Sequence, residues 1–182
     1  MTVGISVTLK LMKVLGIESS CDETAASVVE DGNHLLSNVV ASSMDLHVQY
    51  GGVVPEIAAR SHIEAITGVI HLALYEAKYG KGAAQSATQQ SAKNAPSKSG
   101  YARLSGGELS ALWEDIDAIA VTYGAGLGGS LLVGVLTART LAITHNKPLY
   151  ACNHVEGHVY ANYLTSAGPA VSDYKLPASQ PE

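Results

Sequence analysis

The sequence predicts an α/β domain, a mixed sheet with flanking helices, and three stretches predict it. Residues 14–41 read as three strands joined by tight turns, an antiparallel meander. Residues 55–79 carry apolar side chains at helical intervals. Residues 116–146 run as apolar strand, glycine loop and helix, the order of α/β folds.

Each element has its own signal. The run VLGI (14–17) reads as a strand and the polar SSCDE (19–23) as a break after it. Residues 24–29 resume with small and β-branched side chains. Asp31-Gly32-Asn33 is a hairpin turn, and 34–41 is the third strand. In HVQYGGVVPE (47–56) Gly51-Gly52 turns the chain, and Pro55 suits the first turn of a helix. Ile57, Ile63, Ile66, Ile70 and Leu74 carry that helix to about Tyr79. Residues 81–107 are rich in Ala, Ser, Gln and Gly, with Lys81, Lys93, Lys98, Arg103 and no acid. They read as a disordered surface insertion, with a basic arm touching RNA as the alternative. IDAIAV (116–121) is a buried strand, 131–146 a helix, 149–152 a short strand, and 155–164 a last helix. The tail beyond it is loop-like.

Length and composition bound the function. The 182 residues suit one domain, and 47% hydrophobic against 15% charged residues gives a core and argues against a disordered chain. The net charge of −5 excludes wholesale coating of nucleic acid through a basic surface. Cys21 and Cys152 form no CxxC pair, so the reading is a reducing cytosol and a cytoplasmic protein. No apolar run reaches the roughly 18 residues of a membrane span. MTVGISVTLKL lacks the apolar core of a signal peptide, and Met12 is a plausible start, which makes 1–11 an extension.

Three motifs carry chemistry. Gly124, Gly126, Gly128 and Gly129 precede a helix whose first turn holds Ser130. Amides at a helix start bind anions, and glycines admit a phosphate; the alternative is a tight turn with no ligand. The spacing fits neither the Walker nor the dinucleotide pattern. SSCDET (19–24) sets hydroxyls and the acid pair Asp22 and Glu23 between two strands. These acids suit positioning of water or a cation, or accepting a proton from an amine; the alternative is a polar hairpin turn. Cys21 reads as a small buried residue rather than a nucleophile. In NHVEGH, His154 and His158 stand one helical turn apart on one face, a metal-binding spacing or a pair of surface imidazoles. Glu156 projects off that face, so this is not the zinc-protease HExxH. A stable metal site needs more than two protein ligands. His34, His47, His62, His71 and His145 read as non-ligands, although His47 and His62 flank YGGVVPE.

Together and in this order, VLGIESSCDETAASVV, YGGVVPEIAARSH, AVTYGAGLGGSLLVG and NHVEGH resemble the blocks of the TsaD family of tRNA adenosine threonylcarbamoyltransferases. The resemblance runs from about residue 12 to 164, interrupted at 81–107. It implies an actin-like, Hsp70-like ATPase architecture of two ribonuclease-H-like lobes. Residues 12–182 would be the N-terminal lobe, with the C-terminal lobe beyond them. It implies transfer of a threonylcarbamoyl group from its adenylate to the exocyclic amine of the adenosine beside the tRNA anticodon. It implies one divalent metal per subunit, Fe(II) or Zn(II), with His154 and His158 as two ligands and an aspartate of the second lobe as the third. Ser20 and the four glycines would then hold the nucleotide part, and Asp22 and Glu23 would act at the reacting centre. The implied partners are tRNA, threonylcarbamoyl-adenylate, a TsaB-like paralogue and a TsaE-like ATPase, with no membrane. Two positions depart from the family: Ala125 stands where proline is usual, and Ser43-Met44 where Ser-Gln is common. A TsaB-like scaffold is the main competing reading, and TsaB lacks the histidine pair. A metallopeptidase lacks its HExxH here, and a sugar kinase leaves NHVEGH unexplained.

Overall fold

Strands β1 (Lys13–Glu18), β2 (Glu23–Glu30) and β3 (His34–Ser42) form the meander that the sequence predicts. The computed structural model describes residues 11–80 and 106–166. Most of the expected extension, most of the 81–107 insertion and the tail lie outside the described residues. At the β2–β3 turn Asp31 and Gly32 take φ of 52° and 77°, the successive positive values that match the twist of a hairpin.

A short helix α1 (Met44–His47) and a 3-10 turn (Val48–Tyr50) follow, ahead of the Gly51-Gly52 turn. Helix α2 (Pro55–Tyr79) has the expected bounds. Its buried face is Ala58, His62, Ile66, Val69, Ile70, Ala73 and Leu74. Ile63 is 64% exposed, so the buried stripe runs through His62, where a hydrogen-bonded imidazole replaces an aliphatic side chain. Helix α3 (Gly106–Trp113) starts inside the stretch read as insertion.

Strand β4 (Ala118–Gly124) begins two residues later than expected and runs on through Gly124. Asp117 sets its start: its N–H donates to Lys13 O at 2.9 Å, and its Oδ2 accepts from Lys13 N–H at 2.9 Å. Helix α4 (Gly128–Thr144) takes Gly128, Gly129 and Ser130 into its first turn. Strand β5 (Leu149–Asn153), helix α5 (His154–Tyr160), a 3-10 turn (Ala161–Tyr163) and the two-residue β6 (Thr165–Ser166) complete the described chain. The last helix is therefore shorter than read.

The sheet order is β5-β4-β1-β2-β3-β6. β2 is antiparallel to both neighbours, and the other pairs are parallel. This is the mixed α/β sheet that the sequence predicts. Helix α2 lies on β2 and β3, α4 on β4, and the two helices on each other, so both cover one face. Leu15, Ile17, Ala26, Val28, Ile119 and Val121 pack there with Val69, Ile70, Leu74 and Ala138. No helix among the described residues is long and apolar enough to cross a membrane.

Two histidines make the packing sensitive to acid. Burial holds His71 below its ordinary value, and burial with the Lys147 charge does the same for His145, which stacks on Trp113 at 3.9 Å. A histidine depressed in the folded state stabilises above its unfolded pKa, and that stability is lost as pH falls through the folded value. Thermal unfolding followed between pH 8 and 5 is expected to be level down to about pH 6.5 and to weaken below it. His145→Gln is expected to remove part of that fall.

Candidate active site

The parallel strands β1, β4 and β5 end on one edge of the sheet. Ligand sites of open α/β sheets lie beyond such carboxyl ends. There the chain brings together the hairpin after β1, the glycine loop after β4 and the histidines after β5. These are the three motifs that the sequence singles out.

The hairpin is pinned through its carbonyls. Ser20 O accepts from Leu127 N–H at 2.7 Å. Cys21 O accepts from His62 Nε2 at 3.0 Å and Ser130 Oγ at 3.2 Å. Asp22 O accepts from Ser43 N–H at 3.0 Å and Ser43 Oγ at 2.7 Å. Since His62 Nε2 donates to a carbonyl, its Nδ1 accepts from Thr24 Oγ1 at 2.8 Å. His47 works the same way: Nδ1 accepts from Val54 N–H at 3.3 Å, leaving Nε2 to donate to Ser43 Oγ at 3.2 Å. Both imidazoles are buried struts. Ser130 is fully buried and serves the same purpose, its carbonyl accepting from Ser19 Oγ at 2.8 Å.

Gly126 makes the closest approach. A Cβ there would stand 2.5 Å from Ser20 O. Gly124 and Gly128 have no such neighbour within 4 Å, which leaves space over the loop for a ligand. Asp22 is half-buried and Glu23 exposed at the start of β2. Cys21 is exposed, which corrects its reading as a buried residue. Partial burial of the sulfur and the adjoining Asp22 carboxylate push its thiol up, away from a nucleophilic thiolate.

Asn153 caps α5 by accepting from Val155 N–H at 2.9 Å, and so aims the first turn at the hairpin. His154 Nε2 and His158 Nε2 stand 3.0 Å apart. That is hydrogen-bond contact between the two rings, and it places both nitrogens where they would hold one shared ion. On its other side His154 Nδ1 lies 3.2 Å from Ser20 Oγ and 3.3 Å from Glu18 Oε2. Ser20 is 4% exposed, so its hydroxyl is largely enclosed by this network. Among the described residues no third His, Cys, Asp or Glu completes a metal cluster with the pair.

Glu18 is the site residue that the sequence reading missed. Its carboxylate also accepts from Thr122 Oγ1 at 2.5 Å and from Ser20 N–H. Burial pushes its pKa up, but hydrogen bonds from Ser20, Thr122 and His154 outweigh burial and hold it below the usual carboxylate value. The available signal was an acid closing an apolar strand, VLGIE, where a charge needs partners.

The family model for TsaD, tRNA N6-adenosine threonylcarbamoyltransferase, matches residues 34–85 and 107–173. The chain belongs to the TsaD family. A tRNA N6-adenosine threonylcarbamoyltransferase of Thermomicrobium roseum is 48% identical over 157 residues, 86% of this chain and 34% of that protein. One of Clostridium novyi is 46% identical over 155 residues, 85% of this chain and 36% of that protein. The chain thus spans about a third of the length of the curated TsaD relatives it matches. The solved structure of YeaZ from Pseudomonas aeruginosa is similar at a TM-score of 0.44 and 13% identity, over 78% of this chain and 43% of that one.

Proposed function

We propose that this TsaD chain contributes the first lobe of a tRNA-modifying acyltransferase. The enzyme would move a threonylcarbamoyl group from threonylcarbamoyl-adenylate to the exocyclic amine of the adenosine next to the anticodon. The observation that carries this reading is the convergence of hairpin, glycine loop and histidine pair on one sheet edge, in a chain of this family.

In this reading the amides of Gly124, Gly126, Gly128 and Gly129 and the Ser20 turn hold the adenylate, whose negative charge suits the start of α4. The adenosine amine attacks the carbamoyl carbonyl carbon, the bond to the phosphate oxygen breaks, and AMP leaves. Asp22 or Glu23 accepts the proton that the amine loses. His154 and His158 supply two ligands of a divalent metal, and the 3.0 Å between their Nε2 atoms supports that assignment. When bound, such a metal supplies Lewis-acid polarisation of a carbonyl and orients substrate. Fe(II) is the first choice and Zn(II) the second, with the third protein ligand in the second lobe. A TsaB-like paralogue and a TsaE-like ATPase are the partners, and the cytoplasm is the compartment.

The test is direct. The full natural protein is incubated with those two partners, unmodified tRNA and threonylcarbamoyl-adenylate, and the digested nucleosides are analysed by mass spectrometry. Threonylcarbamoyladenosine is expected. Its absence, where a TsaD relative in the same mixture forms it, overturns the activity. Asp22→Ala is expected to slow transfer by at least about 100-fold, within the range of lost acid–base catalysis. Unchanged transfer would remove Asp22 from the mechanism.

A further inference from the structure

We infer that Glu18 is a positioning residue for His154: it holds the imidazole in the tautomer that presents Nε2 as a ligand. The inference rests on the reading of His154 and His158 as metal ligands.

The geometry runs from the strand outward. Glu18 ends β1, and the parallel pairing of Ile17 with Val121 brings it beside Thr122 of β4. A carboxylate only accepts hydrogen bonds. Around Glu18 stand the Ser20 N–H, the Thr122 hydroxyl and His154 Nδ1. The first two can only donate to it, which fixes the orientation of the carboxylate. The nitrogen facing it at 3.3 Å must then be the protonated one. With the proton on Nδ1, the lone pair lies on Nε2, the atom that stands 3.0 Å from His158 Nε2. Without Glu18, Ser20 Oγ at 3.2 Å remains beside Nδ1, but a hydroxyl can donate as well as accept and so selects neither tautomer. A charged acceptor also makes the stronger bond. Glu18 therefore links the β5–α5 junction to the central strand of the sheet and raises the basicity of the ligand, as carboxylate partners of metal-bound histidines do.

Two measurements on the full natural protein decide it, with Glu18→Gln, Glu18→Ala and His154→Ala as variants. In metal-free protein selectively labelled with ¹⁵N-histidine, the His154 ring is expected to carry its proton on Nδ1. Both Glu18 variants are expected to shift it toward Nε2–H or a mixture. Titration with Co(II) alone is expected to show an affinity about 10–100-fold weaker in the Glu18 variants. Melting curves identify a variant that fails to fold, and Glu18→Gln, which keeps the side-chain shape, serves if Glu18→Ala does. A His154 ring spectrum unchanged in a folded Glu18 variant overturns the inference, as does wild-type Co(II) affinity there. If wild-type and His154→Ala protein bind Co(II) alike, the metal reading falls instead. The nitrogen shifts then still decide whether Glu18 sets the tautomer.

Discussion

Gly126→Ala is expected to destabilise the protein by about 1–3 kcal/mol, the cost of overpacking a tight contact. The added methyl would stand 2.5 Å from Ser20 O, 2.8 Å from Ser20 Cβ and 3.0 Å from Ser20 Cα. Two of these atoms are backbone, so no rotamer change relieves the clash. The hairpin cannot retreat without loss, because Cys21 O and Asp22 O are held by His62, Ser130 and Ser43. The glycine loop must move instead, and the 2.7 Å bond from Leu127 N–H to Ser20 O goes with it. Denaturant unfolding measures the loss, and Gly128→Ala is the control. Gly128 opens α4 with free space where its Cβ would stand, so alanine there is expected to be neutral or to stabilise by up to about 1 kcal/mol. Equal effects of the two substitutions would show that the Ser20 contact is not what decides.

His154→Ala is expected to remove metal binding, and His158→Ala to do the same. The affinity loss should exceed the 10–100-fold, roughly, that follows removal of an outer partner such as Glu18. Each histidine supplies one of the two ring nitrogens that meet at 3.0 Å, and no third His, Cys, Asp or Glu joins them among the described residues. Metal content by mass spectrometry of the purified full protein, with a Co(II) titration, reads the effect. Asp22→Ala is expected to keep its metal while losing transfer, which separates the reacting centre from the metal centre. Unchanged metal content in His154→Ala would remove the pair from the site.

The parts of the site differ in how far the sequence exposed them. His154 and His158 were legible because four-residue spacing on a helix is a local fact, and Asn153 before them is a cap. The glycine loop was legible as a cluster, but where it ends was not. Gly128 and Gly129 look like loop residues by composition, yet they form the first turn of α4. Glu18 was not legible, because its partners Thr122 and His154 lie 104 and 136 positions away. His62 pins the hairpin, and that task was invisible in the sequence, since Cys21 O is 41 positions distant.

By itself the sequence determined the meander, through alternation and the Asp31-Gly32 turn, the bounds of α2, through Pro55 and the apolar period, and the shared face of the two histidines. Only the tertiary structure decided that His62 rather than Ile63 faces inward, that β6 joins the edge of the sheet, and that Glu18 meets His154. Periodicity and turn chemistry act over a few residues and are written along the chain. The order β5-β4-β1-β2-β3-β6 sets which strand ends lie side by side, and that order follows from burying the faces of all the strands and helices at once.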